Sequence, residues 1–220
     1  MDEIFKLIQD NIAAVFTLIG VIAGYSIQII GNIFIKDKDF KLRLKEKILN
    51  RRIESHEQII QLTHSIRAMV SMRRTDSNGE LARHPVIFSS KRAFYEWYAY
   101  YAEIIHKYSA WLSIKVTREL NLFQDYIVTL DEWINVIDND QSYQEIGNII
   151  RDDLVSFSDK IEKLSFKYIE HDLYKMSTGD LEEWHKYPLK ETLSRLDSTV
   201  LFKEKDQILE IIHESTMNKT

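Results

Sequence analysis

The sequence predicts an all-α protein in which an N-terminal single-pass transmembrane helix continues into a cytoplasmic helical bundle. Three observations support this fold class. Residues 12–35 contain no charged side chain. Glycine and proline are scarce, with 6 and 2 copies in 220 residues, whereas a strand-rich fold would need more turn residues. Apolar residues also recur at helical spacing beyond the uncharged segment, as at Phe40, Leu44 and Ile48.

The uncharged segment 12–35 is long enough to cross a bilayer. It forms about 36 Å of helix at about 1.5 Å per residue, and the hydrocarbon core is about 30 Å thick. A cleavable signal peptide is the alternative, but such a peptide begins with basic residues. Here residues 1–10 carry Asp2, Glu3 and Asp10 against Lys6. We therefore predict a retained anchor that follows a short extracytoplasmic N-terminus, residues 1–11.

The charges flanking the anchor predict its orientation. Residues 36–52 carry eight Lys and Arg against three acidic residues, a net charge of +5. The positive-inside rule therefore places the C-terminal domain in the cytoplasm, in a bacterial inner membrane. The whole chain is −5 and residues 1–10 are −2, so residues 53–220 sum to −8. An acidic domain behind a basic collar is not typical of a general nucleic-acid binder, and we expect no DNA partner.

Small and polar residues form a stripe along the predicted membrane helix. At about 100° of rotation per residue, they fall on the side opposite Ile19 and Ile22. The stripe comprises Ala13, Thr17, Gly20, Gly24, Gln28, Gly31 and Asn32. Small residues at this spacing let helices approach closely in lipid, and amide side chains are costly against lipid tails. We therefore predict that these residues form an oligomer interface or line a pore, although a plain anchor that pairs loosely is the alternative.

Helical periodicity also predicts the secondary structure of the remaining residues. We expect the membrane helix to continue as a juxtamembrane helix over 36–74, because this stretch lacks Gly and Pro. Residues 75–85 predict a loop, which opens a cytoplasmic helical domain over 75–220. Ser89 or Ser90 can cap the next helix. The predicted helices of this domain span about 91–112, 117–137, 142–175, 180–187 and 189–214.

Two patterns could carry chemistry, and a structural explanation is available for each. Arg51 and His56 have the Arg-x4-x6-His spacing of HEPN-type ribonucleases, in which arginine stabilises phosphorane charge and histidine transfers a proton. The structural alternative is a solvated basic collar near anionic headgroups. Glu-Ile-Ile-His occurs at 103–106 and at 210–213, and two such pairs form half of a di-iron site. The other half would need two more glutamates, such as Glu57, Glu119 or Glu162.

Other catalytic and metal-binding motifs are absent from the sequence. There is no cysteine, which excludes disulfides and thiolate metal sites. The sequence contains no Gly-rich phosphate loop, zincin motif or catalytic Ser-His-Asp spacing. The aromatic run at 94–111 surrounds its helix on nearly all sides and predicts a core or subunit interface. We therefore expect no enzyme activity, no cofactor and no metal.

The layout of the chain is similar to one known family. An N-terminal membrane helix, an all-helical cytoplasmic domain of this size and the Arg51–His56 spacing resemble the small membrane accessory protein of type VI-B CRISPR loci, described as HEPN-like. The resemblance implies a homo-oligomeric pore that enhances antiphage defence by an RNA-guided, RNA-targeting nuclease through membrane depolarisation. It also implies that this nuclease or its RNA products are partners. Typical HEPN domains carry the Arg and His in later helices, whereas Arg51 and His56 lie in the predicted juxtamembrane helix, and this departure from the family argues against nuclease activity.

Three functional hypotheses follow from the sequence. The first is a homo-oligomeric inner-membrane pore that acts as a defence effector. The second is a membrane-tethered scaffold whose acidic domain binds a partner protein. The third is a tethered ribonuclease that uses Arg51 and His56. Ion flux distinguishes the first hypothesis from the second, and RNA cleavage distinguishes the third from both.

Overall fold

The computed structural model describes residues 6, 12–75, 79, 81–174 and 185–217. The chain divides into two compact units, residues 1–50 and residues 51–220. The described residues are mostly helical, which confirms the all-α fold class. The first helix, α1, spans Ile12–Arg67 and contains 56 residues. Within the described residues it is the one helix long and apolar enough to cross a membrane.

The prediction of helix as far as residue 74 is wrong at its C-terminal end. α1 ends at Arg67, and strand β1 spans Met69–Thr75. It pairs antiparallel with β2, Leu81–Pro85, with Met69 opposite Pro85. Residues 69–74 therefore form a strand, and residues 81–85 are not loop. Ala82 and His84 of β2 are buried. This burial is a tertiary effect, and it overrides the local helix propensity of residues 69–74, which pair with β2.

The next two helices agree closely with prediction. α2 spans Lys91–Tyr108 and begins at the N-cap Ser90, whose side chain accepts a hydrogen bond from the Ala93 backbone N–H. This confirms one of the two predicted caps. α3 spans Ile114–Ile134 and begins at the N-cap Ser113. Short 3₁₀ segments at Val86–Phe88 and Ser109–Trp111 precede and follow α2.

The predicted fourth helix is divided into two. α4 spans Asp140–Ile149 and α5 spans Arg151–Lys167, and a π-helical turn at Tyr168–Asp172 follows. Ile150 separates them with φ −86° and ψ 5°, outside the helical range. Gly147 lies where α4 approaches the Phe88 side chain most closely, because a Cβ there would stand 2.5 Å from the Cβ of Phe88.

The C-terminal region contains α6 (Leu189–Asp197), α7 (Val200–Lys203) and α8 (Lys205–Met217). The predicted single helix over 189–214 is therefore interrupted twice. Asp153 of α5 accepts hydrogen bonds from the backbone N–H groups of Val200 and Leu201 and so fixes the start of α7. The predicted helix over 180–187 lies partly outside the described residues, and residues 185–187 are not helical.

Aromatic side chains form much of the core of residues 51–220. Phe94, Trp97 and Tyr101 of α2 are buried, as the aromatic run predicted. The ring of Phe123 on α3 lies 6.1 Å from that of Trp97 and 5.2 Å from that of Phe157 on α5. Tyr95, Tyr100 and Trp111 are exposed. These contacts hold α2, α3 and α5 around one core.

Candidate functional site

The predicted stripe of small and polar residues lies on the first half of α1. At about 100° per residue, its members share one side of the helix. Most of the stripe is exposed, namely Thr17, Gly20, Gly24, Gln28 and Asn32, whereas Gly31 is half-buried. The side chain of Ala13 lies outside the described part of the chain.

The three glycines of the stripe have no packing role within the described residues. A Cβ added at Gly20, Gly24 or Gly31 would meet no atom within 4 Å. Glycine inside a helix costs about 1 kcal/mol relative to alanine. No contact within the described chain accounts for this cost, whereas close approach of a second helix would.

The polar side chains of α1 differ in how they are satisfied. The Ser26 hydroxyl donates to the carbonyl oxygen of Ile22 at 2.8 Å, so its polarity is satisfied inside the helix. Gln28 and Asn32 carry amides, which have two donors and an acceptor each, and both residues are exposed. An amide of this kind against lipid tails costs several kcal/mol, about 4 or more without a partner. Water or another protein surface would remove that cost.

Apolar side chains cover the opposite face of α1. Ile19 is 56% exposed and Ile22 is 57% exposed, and Leu18, Ile29 and Ile30 on the same side are also open. An apolar surface of this length is typical of a helix surrounded by lipid. The first half of α1 therefore has one face suited to lipid and one face suited to a helix or water.

Arg51 and His56 lie one turn apart on α1 in different environments. Arg51 is exposed, and its Nη1 donates to Glu54 at 3.1 Å. His56 is fully buried. The backbone N–H of Ser113 donates to Nε2 of His56 at 3.2 Å, so Nε2 is unprotonated and Nδ1 donates to the carbonyl oxygen of Arg52 at 2.8 Å. Both ring nitrogens are therefore occupied within the chain.

The surroundings of His56 favour the neutral imidazole. Burial lowers the pKa of His56, the hydrogen bond to Arg52 partly opposes this effect, and the charge of Arg52 adds to it. The His56 ring stacks on Tyr168 with centroids 4.2 Å apart. Arg52 Nη1 donates to the Tyr168 hydroxyl at 3.0 Å. A neutral ring held on three sides suits a structural role and is poorly placed to transfer protons to a substrate.

The two Glu-Ile-Ile-His segments are not assembled into a metal site. Glu103 and His106 are exposed on α2, and Glu210 and His213 are exposed on α8. The described residues contain no group of three or more His, Asp or Glu placed to hold a metal ion. Of the glutamates considered for the second half of such a site, Glu57 is exposed, and Glu162 binds Arg67 through two hydrogen bonds of 2.6 and 2.8 Å.

Glu119 is the centre of a buried charge cluster. Its side chain has no exposed surface. Arg195 donates two hydrogen bonds to it, at 2.9 and 2.6 Å, and Lys160 Nζ lies 2.9 Å away. The Tyr187 hydroxyl donates to the same carboxylate. Burial pushes the pKa of Glu119 upward, but the hydrogen bonds from Arg195, Tyr187 and Lys160 outweigh burial and hold the pKa below its ordinary value.

A small cavity of about 150 Å³ adjoins this cluster and is lined by Lys160, Arg195 and Asp153. Each of these groups already has a partner: the two cations bind Glu119, and Asp153 accepts from Tyr126 and from the start of α7. The cluster therefore links α3 and α5 to α6 and provides no vacant catalytic group. No local sequence pattern indicates this cluster, because Arg195 lies 76 residues from Glu119.

Comparison with protein family models, curated proteins and solved structures finds no match to this chain.

Proposed function

We propose that the chain is a single-pass membrane protein that forms a homo-oligomeric pore in the bacterial inner membrane. One observation supports this most: three glycines and two exposed amides share one side of α1, and no contact within the described chain explains them. Assembly of several copies about this face explains both residue types. It brings glycine backbones together and removes the amides from lipid.

The driving force for this assembly would be packing. Lipid tails surround an isolated apolar helix as well as a second helix does, so hydrophobic burial alone does not associate helices in a bilayer. Close contact at Gly20 and Gly24 supplies the dispersion energy that larger residues would prevent. Gln28 and Asn32 would then face either a neighbouring helix or a central aqueous path, and the latter would make the assembly a pore.

The flanking charges support an N-terminus-out orientation with a cytoplasmic C-terminal domain. Residues 1–10 are net −2 and residues 36–52 are net +5, and positive residues are retained on the cytoplasmic side. A pore in this orientation would present residues 51–220 to cytoplasmic signals.

The physiological role that we propose is antiphage defence. The pore would depolarise the membrane and thereby enhance an RNA-guided, RNA-targeting CRISPR nuclease, with the nuclease or its RNA products as the activating partner. This assignment rests on the resemblance in chain layout to the type VI-B accessory protein. The defence role and the pore can be tested separately.

A membrane-tethered scaffold is the second candidate. The net charge of −8 over residues 53–220 favours it, because an acidic surface can steer association with a basic partner. A tethered ribonuclease has less support, because His56 is buried and Arg51 is exposed.

The mass of the detergent-solubilised full chain, measured by light scattering after size-exclusion chromatography, tests the proposal. We expect a protein mass that is a multiple of the 26.1 kDa chain. Gly20→Ile with Gly24→Ile should reduce this mass, because bulk at the contact separates the helices while the segment stays apolar. The matched control, Ile19→Ala with Ile22→Ala, changes the opposite face and should retain the mass. A monomeric wild-type protein would favour the scaffold.

A further inference from the structure

The part of α1 that follows the membrane segment carries a second organised surface. On this helix, six basic residues flank three apolar residues. We call this surface the basic ridge; it comprises Lys36, Lys38, Phe40, Lys41, Arg43, Leu44, Lys45, Lys47 and Ile48. Its basic residues are exposed, and Phe40 and Leu44 are 67% and 48% exposed.

The apolar centre of the basic ridge continues the lipid-facing side of α1. At about 100° per residue, Phe40, Leu44 and Ile48 fall on the same side as Ile19 and Ile22. This side is opposite the stripe of small and polar residues. Along the helix, Phe40 lies about 8 Å beyond Ile35, within a headgroup layer that is about 5 to 8 Å deep on each side of the hydrocarbon core.

The cations of the basic ridge lie on both flanks of its apolar centre. On one flank are Lys36, Arg43 and Lys47, and on the other are Lys38, Lys41 and Lys45. Among these, Lys41 pairs with Asp37 at 2.7 Å, and both partners are well exposed, with 72% and 56% of their side chains open. An exposed i, i+4 pair of this kind is weak and exchanges readily with a competing anion.

From this arrangement we infer that the basic ridge binds anionic phospholipids, with Phe40 at the headgroup layer and the flanking cations on the phosphates. A cluster of Lys and Arg that directly follows a membrane helix on its cytoplasmic side is the pattern that binds anionic lipid headgroups. Lysine side chains can extend toward the phosphates while their stems cover apolar surface. This inference rests on the proposed membrane insertion of α1 and names the lipid class that it meets.

Two other occupants fit the basic ridge less well. A second copy of the chain would bring two surfaces of net positive charge together, since residues 36–48 carry six basic and three acidic residues, and this costs free energy at short range. RNA would gain from the cations and could stack on Phe40, but it would leave Leu44 and Ile48 in water, because base stacking needs aromatic platforms. Anionic phospholipid matches the charge and meets Phe40 at the headgroup layer.

Lipid retention by the full-length protein tests this inference. The protein is extracted with detergent from vesicles containing phosphatidylcholine and a minority of phosphatidylglycerol, purified, and assayed for bound phospholipid. We expect phosphatidylglycerol to be enriched about threefold or more over its share of the vesicles, and the enrichment to fall at high salt. Lys41→Gln, Arg43→Gln and Lys45→Gln together should remove the enrichment.

A matched variant controls for charge alone. Lys115→Gln, Lys190→Gln and Lys203→Gln remove three exposed cations from residues 51–220 and should leave the enrichment intact. Enrichment that survives in the basic-ridge variant, or its absence from wild type, would overturn the inference. A second result would also overturn the inference. In it, wild-type protein does not enrich phosphatidylglycerol but binds an RNA oligonucleotide in a salt-sensitive manner, and the basic-ridge variant loses this binding.

Vesicle flotation distinguishes failure of this inference from failure of the proposed function. Wild-type protein should float with vesicles of phosphatidylcholine alone, because insertion of α1 requires no anionic lipid. Protein that floats with no vesicle would contradict membrane insertion itself. Protein that floats with neutral vesicles, but retains phosphatidylglycerol only in proportion to the share of this lipid in the vesicles, would contradict the lipid inference. Membrane insertion of α1 would then still hold.

Discussion

The imidazole of His56 accepts a hydrogen bond from the backbone N–H of Ser113, with 3.2 Å between nitrogen atoms. Ser113 is the N-cap of α3, so this bond links α1 to the beginning of another helix. Protonation of Nε2 would place a donor against a donor and break the link. The residue that resembles half of a nuclease pair therefore joins two helices.

Stability should depend on pH through His56. Its pKa is lowered in the folded protein from an ordinary value of 6.5, so the unfolded state binds more protons between the two pKa values. The stabilising effect is fully present above about pH 6.5 and is lost as the pH falls through the folded pKa. The thermal midpoint of the full chain in detergent should fall over this range, and less steeply in His56→Gln.

His106→Gln removes an exposed histidine and provides the control, since it should keep the wild-type pH slope. Equal slopes in wild type and His56→Gln would show that His56 is not the titrating group. RNA cleavage by wild type that is lost in His56→Gln would instead favour the ribonuclease hypothesis.

Loss of the Glu119 carboxylate should destabilise the protein strongly. Glu119→Leu leaves the partly buried Arg195 without its partner, at a cost of about 3 to 5 kcal/mol. Adding Arg195→Leu should recover part of this loss, because the more buried of the two unpaired cations is then removed and only the half-exposed Lys160 lacks its partner. Chemical denaturation measures both effects. Glu96→Leu breaks an exposed pair with Arg92 and should change stability little; an equally small effect of Glu119→Leu would contradict the cluster's structural role.

Gly147→Ala tests the close packing of α4. The added methyl group would collide with the Cβ of Phe88, which cannot move without its backbone. Overpacking of this kind costs about 1 to 3 kcal/mol, which outweighs the gain in helix propensity. The free energy of unfolding should therefore fall. Gln141→Ala, at an exposed position of the same helix, should have an effect within about 0.5 kcal/mol.

Local sequence patterns predicted the helices but not several of their ends. Ser90 was a recognisable cap, and the aromatic run indicated a buried helix. The hairpin was missed because residues 69–74 contain no Gly or Pro and form a strand only through pairing with β2. The break at Ile150 has no Gly or Pro to mark it.

The environments of the candidate site residues required tertiary information. The spacing of Arg51 and His56 is the same whether the histidine faces the core or solvent. One signal was nevertheless present, because His56 shares the apolar face of α1 with Ile59 and Ile66. The Glu119 cluster joins residues from three distant segments, so no local pattern could indicate it.

The charges on either side of the candidate membrane segment predict its topology. A reporter that is active only in the cytoplasm, fused after Thr220, should be active in cells. The net +5 of residues 36–52 makes translocation of the C-terminal domain unfavourable. Fluorescence or enzyme activity of the fusion is the measurement, and a reporter active only in the periplasm serves as the matched control. Activity of the periplasmic reporter would reverse the proposed orientation.

Replacing the amides of the stripe should close an aqueous path without preventing assembly. Gln28→Leu with Asn32→Leu keeps the helix apolar and long enough to span the bilayer. An apolar constriction in place of a polar one resists wetting, so ion flux should fall by at least about tenfold. Ser26→Leu is the control, because Ser26 lies on the apolar side of α1, opposite the stripe, and donates a hydrogen bond within its own helix.

Ion flux from proteoliposomes containing the purified full chain tests the pore most directly. Wild-type protein and Ser26→Leu should dissipate a potassium gradient, and the double variant Gln28→Leu with Asn32→Leu should not. Light scattering should show all three proteins as oligomers of equal mass. A gradient that wild-type oligomers leave intact, or that the double variant dissipates as fast as wild type, would contradict a pore lined by this stripe.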